Sequence, residues 1–323
     1  FSERYQISIS DSLVVGQEPD LLRAGNTFDS FQRISGGNLR NYGTAAFTAQ
    51  ITPKLGTELG YANTFYSYSD NNNLNPDGTF NTASFSGLLD ELDHVAHLDL
   101  RYQIQQQTTG VFGYQFRETD YTGNQQIGGY YDAFGNYIAV MSKERNARAH
   151  YGYVGLDHNF RPDLSGMFRV GARYNDYYNN PAGQSDVAPY AMASLRYFYL
   201  PESYLQAGFS YDYSSSSVFS ASNGTGDLTL NAQSASVFAA LKHRILPKLY
   251  GSITAQFQNS TYYGGTVDGD AQQYYLVGLN LQYRFTPNFS AEVGYNYDNV
   301  QSQVSLQPGY DRNRVYVGVT GSY

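Results

Sequence analysis

The stretch YYLVGLNLQYRFTPNFSAEVGYNYD, residues 274–298, alternates apolar and polar side chains over almost its whole length. One parity of its first half carries Tyr275, Val277, Leu279, Leu281, Tyr283 and Phe285. After Thr286-Pro287-Asn288 the alternation begins again, with Phe289, Ala291, Val293, Tyr295 and Tyr297 against Ser290, Glu292, Gly294, Asn296 and Asp298. A period of two puts neighbouring side chains on opposite faces of a strand. The stretch therefore predicts two strands joined by a tight turn, each with one apolar and one polar face.

The composition narrows the class of protein. The chain has 323 residues, enough for two ordinary domains or one large β-barrel. Charged residues make up 15%, well below the ~25% usual for soluble domains, whereas tyrosine alone counts 33. No cysteine is present, which excludes disulfides, thiolate catalysis and cysteine-bound metals. The net charge of -8 argues against nucleic acid as a partner, because phosphate binding needs a basic surface.

The hydropathy pattern suggests how the chain meets a membrane. No run of about 18 apolar residues occurs, so no transmembrane helix is predicted. A closed barrel is the other structure that satisfies its backbone in lipid, and only alternate residues of its strands face lipid. That geometry accounts for a mean hydropathy as low as -0.47. The chain begins at Phe1, which fits a processed or trimmed chain, and a further N-terminal segment is left open.

Segments with a period of two recur along the chain. We read fourteen: 4–15, 40–51, 55–68, 91–105, 110–121, 147–160, 164–177, 187–199, 203–214, 232–245, 249–262, 272–285, 289–300 and 312–323. Segment 147–160 is the least regular, because Tyr151 and Tyr153 have the opposite parity to Val154 and Leu156. This irregularity predicts a β-bulge within it.

The connections between these segments alternate in length. Short ones, five of six with proline, lie at 52–54, 106–109, 161–163, 200–203, 246–248 and 286–288; long polar ones lie at 16–39, 69–90, 122–146, 178–186, 215–231, 263–271 and 301–311. Short periplasmic turns and long extracellular loops are typical of outer-membrane barrels. We therefore predict an all-β fold over residues 1–323, a single transmembrane antiparallel up-and-down β-barrel of about fourteen strands.

Both chain ends carry stretches that resemble a known class. The opening YQISISDSLVVGQEPDLL (5–22) and the closing GYDRNRVYVGVTGSY (309–323) are similar to those of the bacterial β-barrel porin families. The resemblance covers essentially the whole chain and implies an outer-membrane barrel, with some family members associated with exopolysaccharide export. It supplies no catalytic motif. The final strand ends in Tyr323, which resembles the C-terminal aromatic signal that the barrel-assembly machinery reads.

The polar parity predicts which residues line the interior. Ten ionisable residues are predicted to be pore-lining: Arg101, Arg117, Arg169, Arg173, Arg196, Arg284, Arg314, Glu58, Asp99 and Glu292. Asp157, Asp212, Lys242 and Asp298 share this parity. Arg169, Arg173 and Arg196 lie on neighbouring strands and predict an arginine row that favours anions. The alternative is that such arginines pair with carboxylates across the lumen and brace the wall.

Loop 122–146 is the best candidate for a constriction. It is long and rich in glycine and tyrosine, and its apolar stretch from Ile138 to Met141 would be unfavourable in water. We therefore expect this loop to fold inward and narrow the barrel.

Three functions fit this sequence to different degrees. The first is a porin-like channel for passive diffusion of small polar or anionic solutes, with oligosaccharides as a further class. The second is a closed or plugged barrel that serves as a structural anchor, or as a component of polysaccharide export or a surface assembly. An enzyme is disfavoured. Of the five histidines (His94, His97, His150, His158 and His243), His150 lies near the predicted outer rim, but no activated serine or carboxylate pair is recognisable near it in the sequence.

The expected surroundings follow from the barrel prediction. No catalytic residue, cofactor or metal site is predicted. The predicted partners are outer-membrane lipids and lipopolysaccharide, the barrel-assembly machinery, and a second copy of the chain or a surface or export partner. The predicted location is the outer membrane of a Gram-negative bacterium.

Overall fold

The computed structural model describes residues 4–16, 37–69, 85–216, 218–305 and 307–321. Over these residues the chain is almost entirely β, with a short helix α1 (Phe85–Leu89) and two 3-10 turns (Ser142–Arg145 and Gly265–Val267). The strands are β1 (Tyr5–Gly16), β2 (Asn38–Gln50), β3 (Leu55–Tyr68), β4 (Glu91–Gln105), β5 (Thr108–Tyr121), β6 (Gln126–Tyr131), β7 (Tyr137–Met141), β8 (Ala147–Arg161), β9 (Leu164–Asp176), β10 (Ser185–Leu200), β11 (Ser203–Ser215), β12 (Asn231–Leu246), β13 (Leu249–Tyr263), β14 (Ala271–Thr286), β15 (Phe289–Ser302) and β16 (Tyr310–Gly321).

Fourteen of the described strands form one antiparallel sheet in which each strand pairs with the next. The order runs from β1 to β5 and then from β8 to β16, while β6 and β7 form a separate hairpin. This up-and-down order confirms the predicted strand number, and every predicted segment agrees with an observed strand to within about two residues.

The short connections all lie at one end of the strands, which we call the turn end. The long connections lie at the opposite end, which we call the loop end. At five of the six short connections the pairing register shifts just before the turn, at Gln103/Gln105, Asn159/Arg161, Phe198/Leu200, Arg244/Leu246 and Arg284/Thr286. Four of these turns contain a proline, whose fixed φ favours the first turn position. Five of the six connections at the turn end thus repeat the same unit, a register shift followed by a short turn.

The bulge predicted within segment 147–160 does not lie at Tyr151 and Tyr153, and the only register shift of β8 lies beside the turn. Pairing of β8 with β5 runs without a shift from Thr108–His158 to Thr119–Ala147. Pairing with β9 shifts only beside the turn, at Asn159/Arg161. Tyr151 and Tyr153 are buried because they point to the polar face of the sheet, so their parity needs no extra residue.

The apolar side chains of the sheet face outward and the polar ones face inward. On β14, for example, Leu279 and Leu281 are 45% and 48% exposed. Glutamines and serines of the opposite parity are buried, among them Gln206, Ser236, Gln256, Gln258 and Ser260. This distribution inverts that of a soluble protein, in which large exposed apolar surfaces are rare.

The polar face is concave. The Tyr151 hydroxyl on β8 donates a hydrogen bond to Asp212 on β11 over 3.2 Å. These strands are three intervals apart, which is about 14 Å along a flat sheet. A contact over so short a distance requires the sheet to curl around its polar side.

The two outermost strands of the described sheet are β1 and β16. No described pairing joins β1 to β16. On β16 the outward residues Val315 and Val317 are 75% and 79% exposed.

Among the described residues, no helix has the length and apolar character needed to cross a bilayer.

Candidate functional site: the inner face of the sheet

All ten residues predicted to be pore-lining lie on the inner face of the sheet. Each is flanked along its strand by outward residues; Asp99, for instance, lies between the exposed Leu98 and Leu100. Asp157, Asp212, Lys242 and Asp298 lie on the same face. Their part in conduction stays a prediction.

A first group of these residues forms a network on β3, β4, β8 and β9. Asp157 accepts a hydrogen bond from Arg101 at 2.5 Å and forms an ion pair with Arg169, whose guanidinium nitrogen lies 2.7 Å away. Glu58 lies 3.6 Å from Arg101 and 3.5 Å from His97. Charges that leave water must be paired and hydrogen-bonded. The network therefore joins four strands through their charged side chains.

A second group lies closer to the loop end. Arg173 approaches Asp212 at 3.5 Å and donates to the Tyr213 carbonyl at 2.8 Å. Arg117 is ion-paired with Asp93. On the last two strands, Arg314 binds Asp298 at 2.7 Å. These arginines meet carboxylates rather than open space.

The remaining predicted residues bind neutral groups. Glu292 accepts from the Asn280 amide at 3.0 Å, and Asp99 accepts from the Tyr153 hydroxyl at 2.6 Å. Arg196 donates to Gln206 at 2.8 Å. Arg284 lies over the ring of Tyr250, 4.2 Å from its centre.

The predicted arginine row does share one face, but its members differ in surroundings. The Arg169 and Arg173 side chains are each only 8% exposed and face Asp157 and Asp212. Arg196 on β10 is half-buried, and among the described residues it makes no ion pair. The surroundings of Arg169 and Arg173 favour a role in bracing the wall. The positive charge of a buried guanidinium is largely neutralised by a carboxylate partner, so it attracts a solute only weakly.

Burial of the inner face changes from one end of the sheet to the other. At the loop end, side chains of inward parity are buried, including Tyr66, Tyr121, Tyr262, Tyr274 and Asp298. At the turn end several of them are half-exposed, including Glu58, Arg101, Lys242 and Arg284. A cavity of about 500 Å³ opens there, with Arg4, Lys54, Glu58 and Arg101 in its lining. The interior is thus accessible at the turn end and sealed at the loop end.

Three connecting segments form the seal, which we call the loop cap. They are α1 (Phe85–Leu89), the β6–β7 hairpin with its 3-10 turn (126–145), and residue 216 with residues 218–230. Ile127, Val140, Leu228 and Leu230 of the cap are buried in one cluster, together with Tyr177 after β9. Val218 belongs to a second cluster, which reaches Val304 between β15 and β16. Residues 218–230 therefore contact loops on both sides.

The Arg145 side chain connects separate segments of the cap. It is 2% exposed. It donates to the Leu88 carbonyl over 3.1 Å and to the Ser216 carbonyl, and its guanidinium lies 4.4 Å from the ring centre of Tyr121. Leu88 precedes β4 and Ser216 follows β11, strands five intervals or roughly 24 Å apart along the sheet. One side chain reaches both carbonyls only because the loops fold over the end of the sheet.

Loop 122–146 was predicted to fold inward, and the structure places part of it in the cap. Ile127 and Val140 are fully buried there. Of the predicted apolar stretch, however, Ile138 is exposed and only Val140 is fully buried. Sequence reasoning missed Arg145, since a basic residue in a polar loop carries no pattern of its own. Tyr323, the predicted assembly signal, lies outside the described residues.

Two carboxyl groups of the cap have raised pKa values. Asp90 follows α1 and accepts the Tyr68 backbone N–H at 2.6 Å. Burial raises the pKa of Asp90 to about 6, against a hydrogen bond that acts in the opposite direction. Burial also raises the pKa of Glu144 in the 3-10 turn.

We expect the cap to loosen as pH rises through the range from 3.8 to about 6. The folded protein holds the Asp90 proton more tightly than the unfolded chain, so its stability falls across this window and then levels off. Glu144 contributes in the same direction. Deuterium exchange of the segment around α1, corrected for intrinsic rates, should be slower at about pH 4 than at about pH 7.

Asp90→Asn should remove most of this difference, because the amide does not titrate. Asp132→Asn serves as the control. Hydrogen bonds from Asn136 lower the pKa of Asp132, so Asp132 titrates below the window. Equal protection of the wild type at both pH values would contradict the expectation.

No curated protein sequence matches this chain. Among solved structures, the copper transporter OprC is similar at 12% identity and a TM-score of 0.47, over 93% of this chain and 53% of that one. The iron transporter FrpB from Neisseria meningitidis is similar at 10% identity and a TM-score of 0.46, over 82% and 44%. The ferric yersiniabactin uptake receptor FyuA from Yersinia pestis is similar at 11% identity and a TM-score of 0.45, over 93% and 50%.

This chain spans about half the length of these structures. A family match concerns its last strands. Residues 232–323, which include almost all of β12 and the whole of β13 to β16, match a family described as Putative beta-barrel porin 2. The match confirms the resemblance that the sequence carries. Over these residues, the chain is similar to the Putative beta-barrel porin 2 family.

Proposed function

We propose that this protein is an outer-membrane channel for small polar or anionic solutes, closed at rest by its loop cap. One observation carries the proposal: the sheet exposes apolar side chains on its convex side and keeps ionisable ones on its concave side. A protein with this distribution is stable when hydrocarbon surrounds it and water enters it. The similarity to a β-barrel porin family supports a transport role in the outer membrane.

The proposed orientation places the turn end in the periplasm and the loop cap outside, as in other outer-membrane barrels. Lipids and lipopolysaccharide then contact the outward Leu, Val and Tyr side chains. Solutes meet the half-exposed charges of the turn end first and the sealed loop end last. Passage requires the cap to move, so the cap acts as the gate.

The proposed barrel closes by pairing β1 with β16, the first and the last strand of the described sheet. Because the chain has no cysteine, this pairing can be tested with double-cysteine variants. We expect Ile9→Cys to cross-link within the chain to one of Val315→Cys, Val317→Cys or Val319→Cys. Outward residues on neighbouring antiparallel strands have Cβ atoms about 4.5–5.5 Å apart, which allows a disulfide.

The readout is mobility on non-reducing gels after oxidation in detergent. Ile9→Cys combined with Val237→Cys on β12 is the matched negative control, since both side chains face outward on distant strands. Cross-links only between chains, or none for the three test pairs, would overturn closure through β1 and β16.

Planar-bilayer recordings test the channel. We expect the wild type to insert and to show infrequent current steps, because the cap seals the interior most of the time. Weakening the cap should make the steps frequent. An absence of steps from both the wild type and a cap variant would exclude the channel.

A second candidate is a closed barrel that anchors a surface assembly or takes part in polysaccharide export. The packed cap favours it, because two apolar clusters and a buried arginine hold the loops together. In that case the outer surface of the cap is the working surface, and the interior carries no solute.

A further inference from the structure

A row of cations and tyrosine rings crosses the turn end of the inner face. It takes one residue from each of five consecutive strands: Arg196 on β10, Tyr204 on β11, Lys242 on β12, Tyr250 on β13 and Arg284 on β14. Tyr204 and Lys242 are direct partners in the strand register. We call these five residues the cation–tyrosine row.

The tyrosine rings hold the cations in place. The Arg196 guanidinium lies 5.5 Å from the centre of the Tyr204 ring. Tyr250 lies between the other two cations, with the Lys242 ammonium 5.6 Å and the Arg284 guanidinium 4.2 Å from its centre. A cation over an aromatic face is stabilised without loss of its charge.

The row differs from the other inner arginines in its electrostatic balance. Arg169, Arg173 and Arg314 each face a carboxylate. Arg196 instead donates to the neutral Gln206 amide, and Arg284 to the Tyr250 hydroxyl at 3.4 Å.

One carboxylate touches this region in the contacts that the described residues make. Glu202, in the turn between β10 and β11, pairs with Arg244 at 3.4 Å and accepts from the Tyr250 hydroxyl. Four cations (Arg196, Lys242, Arg244 and Arg284) thus stand against one carboxylate. The region keeps a positive field although the whole chain has a net charge of -8.

The spacing sets the kind of ligand. Cations on alternate strands are separated by roughly 10 Å, which is twice the distance between neighbouring strands. Their side chains are half-buried, and so they keep part of their surface toward the accessible turn end. Guanidinium groups bind carboxylate and phosphate oxygens in pairs, and lysine adds a point charge.

We propose that the cation–tyrosine row is a binding site for elongated oligoanions at the turn end of the interior. A chain of anionic groups can bridge two or three of its cations at once, which a single small anion cannot do. The inference rests on the proposed channel only for its consequence, namely that oligoanions are concentrated at the periplasmic mouth. Binding itself requires no conduction.

Calorimetry of the folded protein in detergent tests the site, with inorganic tripolyphosphate as the probe and orthophosphate for comparison. We expect tripolyphosphate to bind about tenfold or more tightly than orthophosphate, and its affinity to fall as salt rises. The triple variant Arg196→Gln, Lys242→Gln and Arg284→Gln should lose about tenfold or more in affinity. Retained heat-dependent gel mobility would show that the variant is folded.

Arg161→Gln is the matched control. Arg161 is also at the turn end, but it is exposed and pairs with Asp163 near the outward Tyr197. It should bind tripolyphosphate like the wild type. Equal binding of both phosphates, equal weakening by Arg161→Gln, or no binding by the wild type would each overturn the row.

The two proposals fail in different ways. Current steps without tripolyphosphate binding would contradict the proposed oligoanion site but agree with the proposed channel. Tripolyphosphate binding without current steps, in both the wild type and a cap variant, would contradict the proposed channel but agree with the proposed oligoanion site.

Discussion

If the proposed channel exists, replacing Arg145 by Met is expected to raise its open-to-closed ratio roughly 30-fold, which corresponds to about 2 kcal/mol. Arg145 binds the carbonyls of Leu88 and Ser216 and covers the Tyr121 ring. Methionine keeps much of the volume but removes both hydrogen bonds and the charge. Hydrogen bonds from charged donors are worth about 1.5–3 kcal/mol each, and the relief of guanidinium desolvation offsets part of that loss.

Single-channel recordings in planar bilayers measure this ratio directly. Arg148→Met is the control, because Arg148 is only three residues away and loses an ion pair with Glu118 on a side chain that is 47% exposed. A surface pair of this kind contributes about 0–1 kcal/mol. If Arg145→Met left open probability at the wild-type level while the wild type conducts, the loop cap would not be the gate.

Replacing Asp298 by Asn is expected to destabilise the sheet by about 3 kcal/mol, the lower part of the cost of breaking a buried ion pair. Asp298 is 0% exposed and binds Arg312 and Arg314 on β16, each at 2.7 Å. Asparagine fills the same space and leaves the two guanidiniums without the negative charge between them. Because Asp298 and Arg312 are direct partners in the register, the loss falls on the pairing of β15 with β16.

The midpoint of urea unfolding, followed by heat-dependent gel mobility, reports the change. Asp311→Asn is the matched control on the same strand pair. Asp311 is exposed and accepts hydrogen bonds from Tyr297 and Asn299, so its substitution should change stability by about 0.5 kcal/mol or less. Equal midpoints for the two variants would mean that the Asp298 cluster does not stabilise the last strand pair.

The fourteen strands could be predicted because the signal is local. A period of two along a strand assigns its two faces before any partner is known. This is why residues as far apart as Glu58 and Arg314 were both assigned to the inner face. The bulge was predicted from the parity of Tyr151 and Tyr153, whereas the register of β8 shifts only beside the turn. A tyrosine can serve either face, since its ring suits lipid and its hydroxyl suits a polar interior.

The contacts across the interior could not be read in the same way. Asp157 lies between Arg101 and Arg169 because the sheet curls, and that curvature is a property of all strands together. Nor does the sequence indicate which arginines lack a carboxylate partner among the described residues. Arg173 and Arg196 have the same residue type and parity, yet one faces Asp212 and the other Gln206.

The sequence by itself determined the strands, their turns and which side of each strand is apolar, because these depend on neighbours one or two residues away. Tertiary structure alone decided that the loop end is sealed, that Arg145 joins loops from distant strands, and that a row of cations stays unneutralised at the turn end. Those features depend on residues far apart in the chain that meet only once the sheet has curled and its loops have packed.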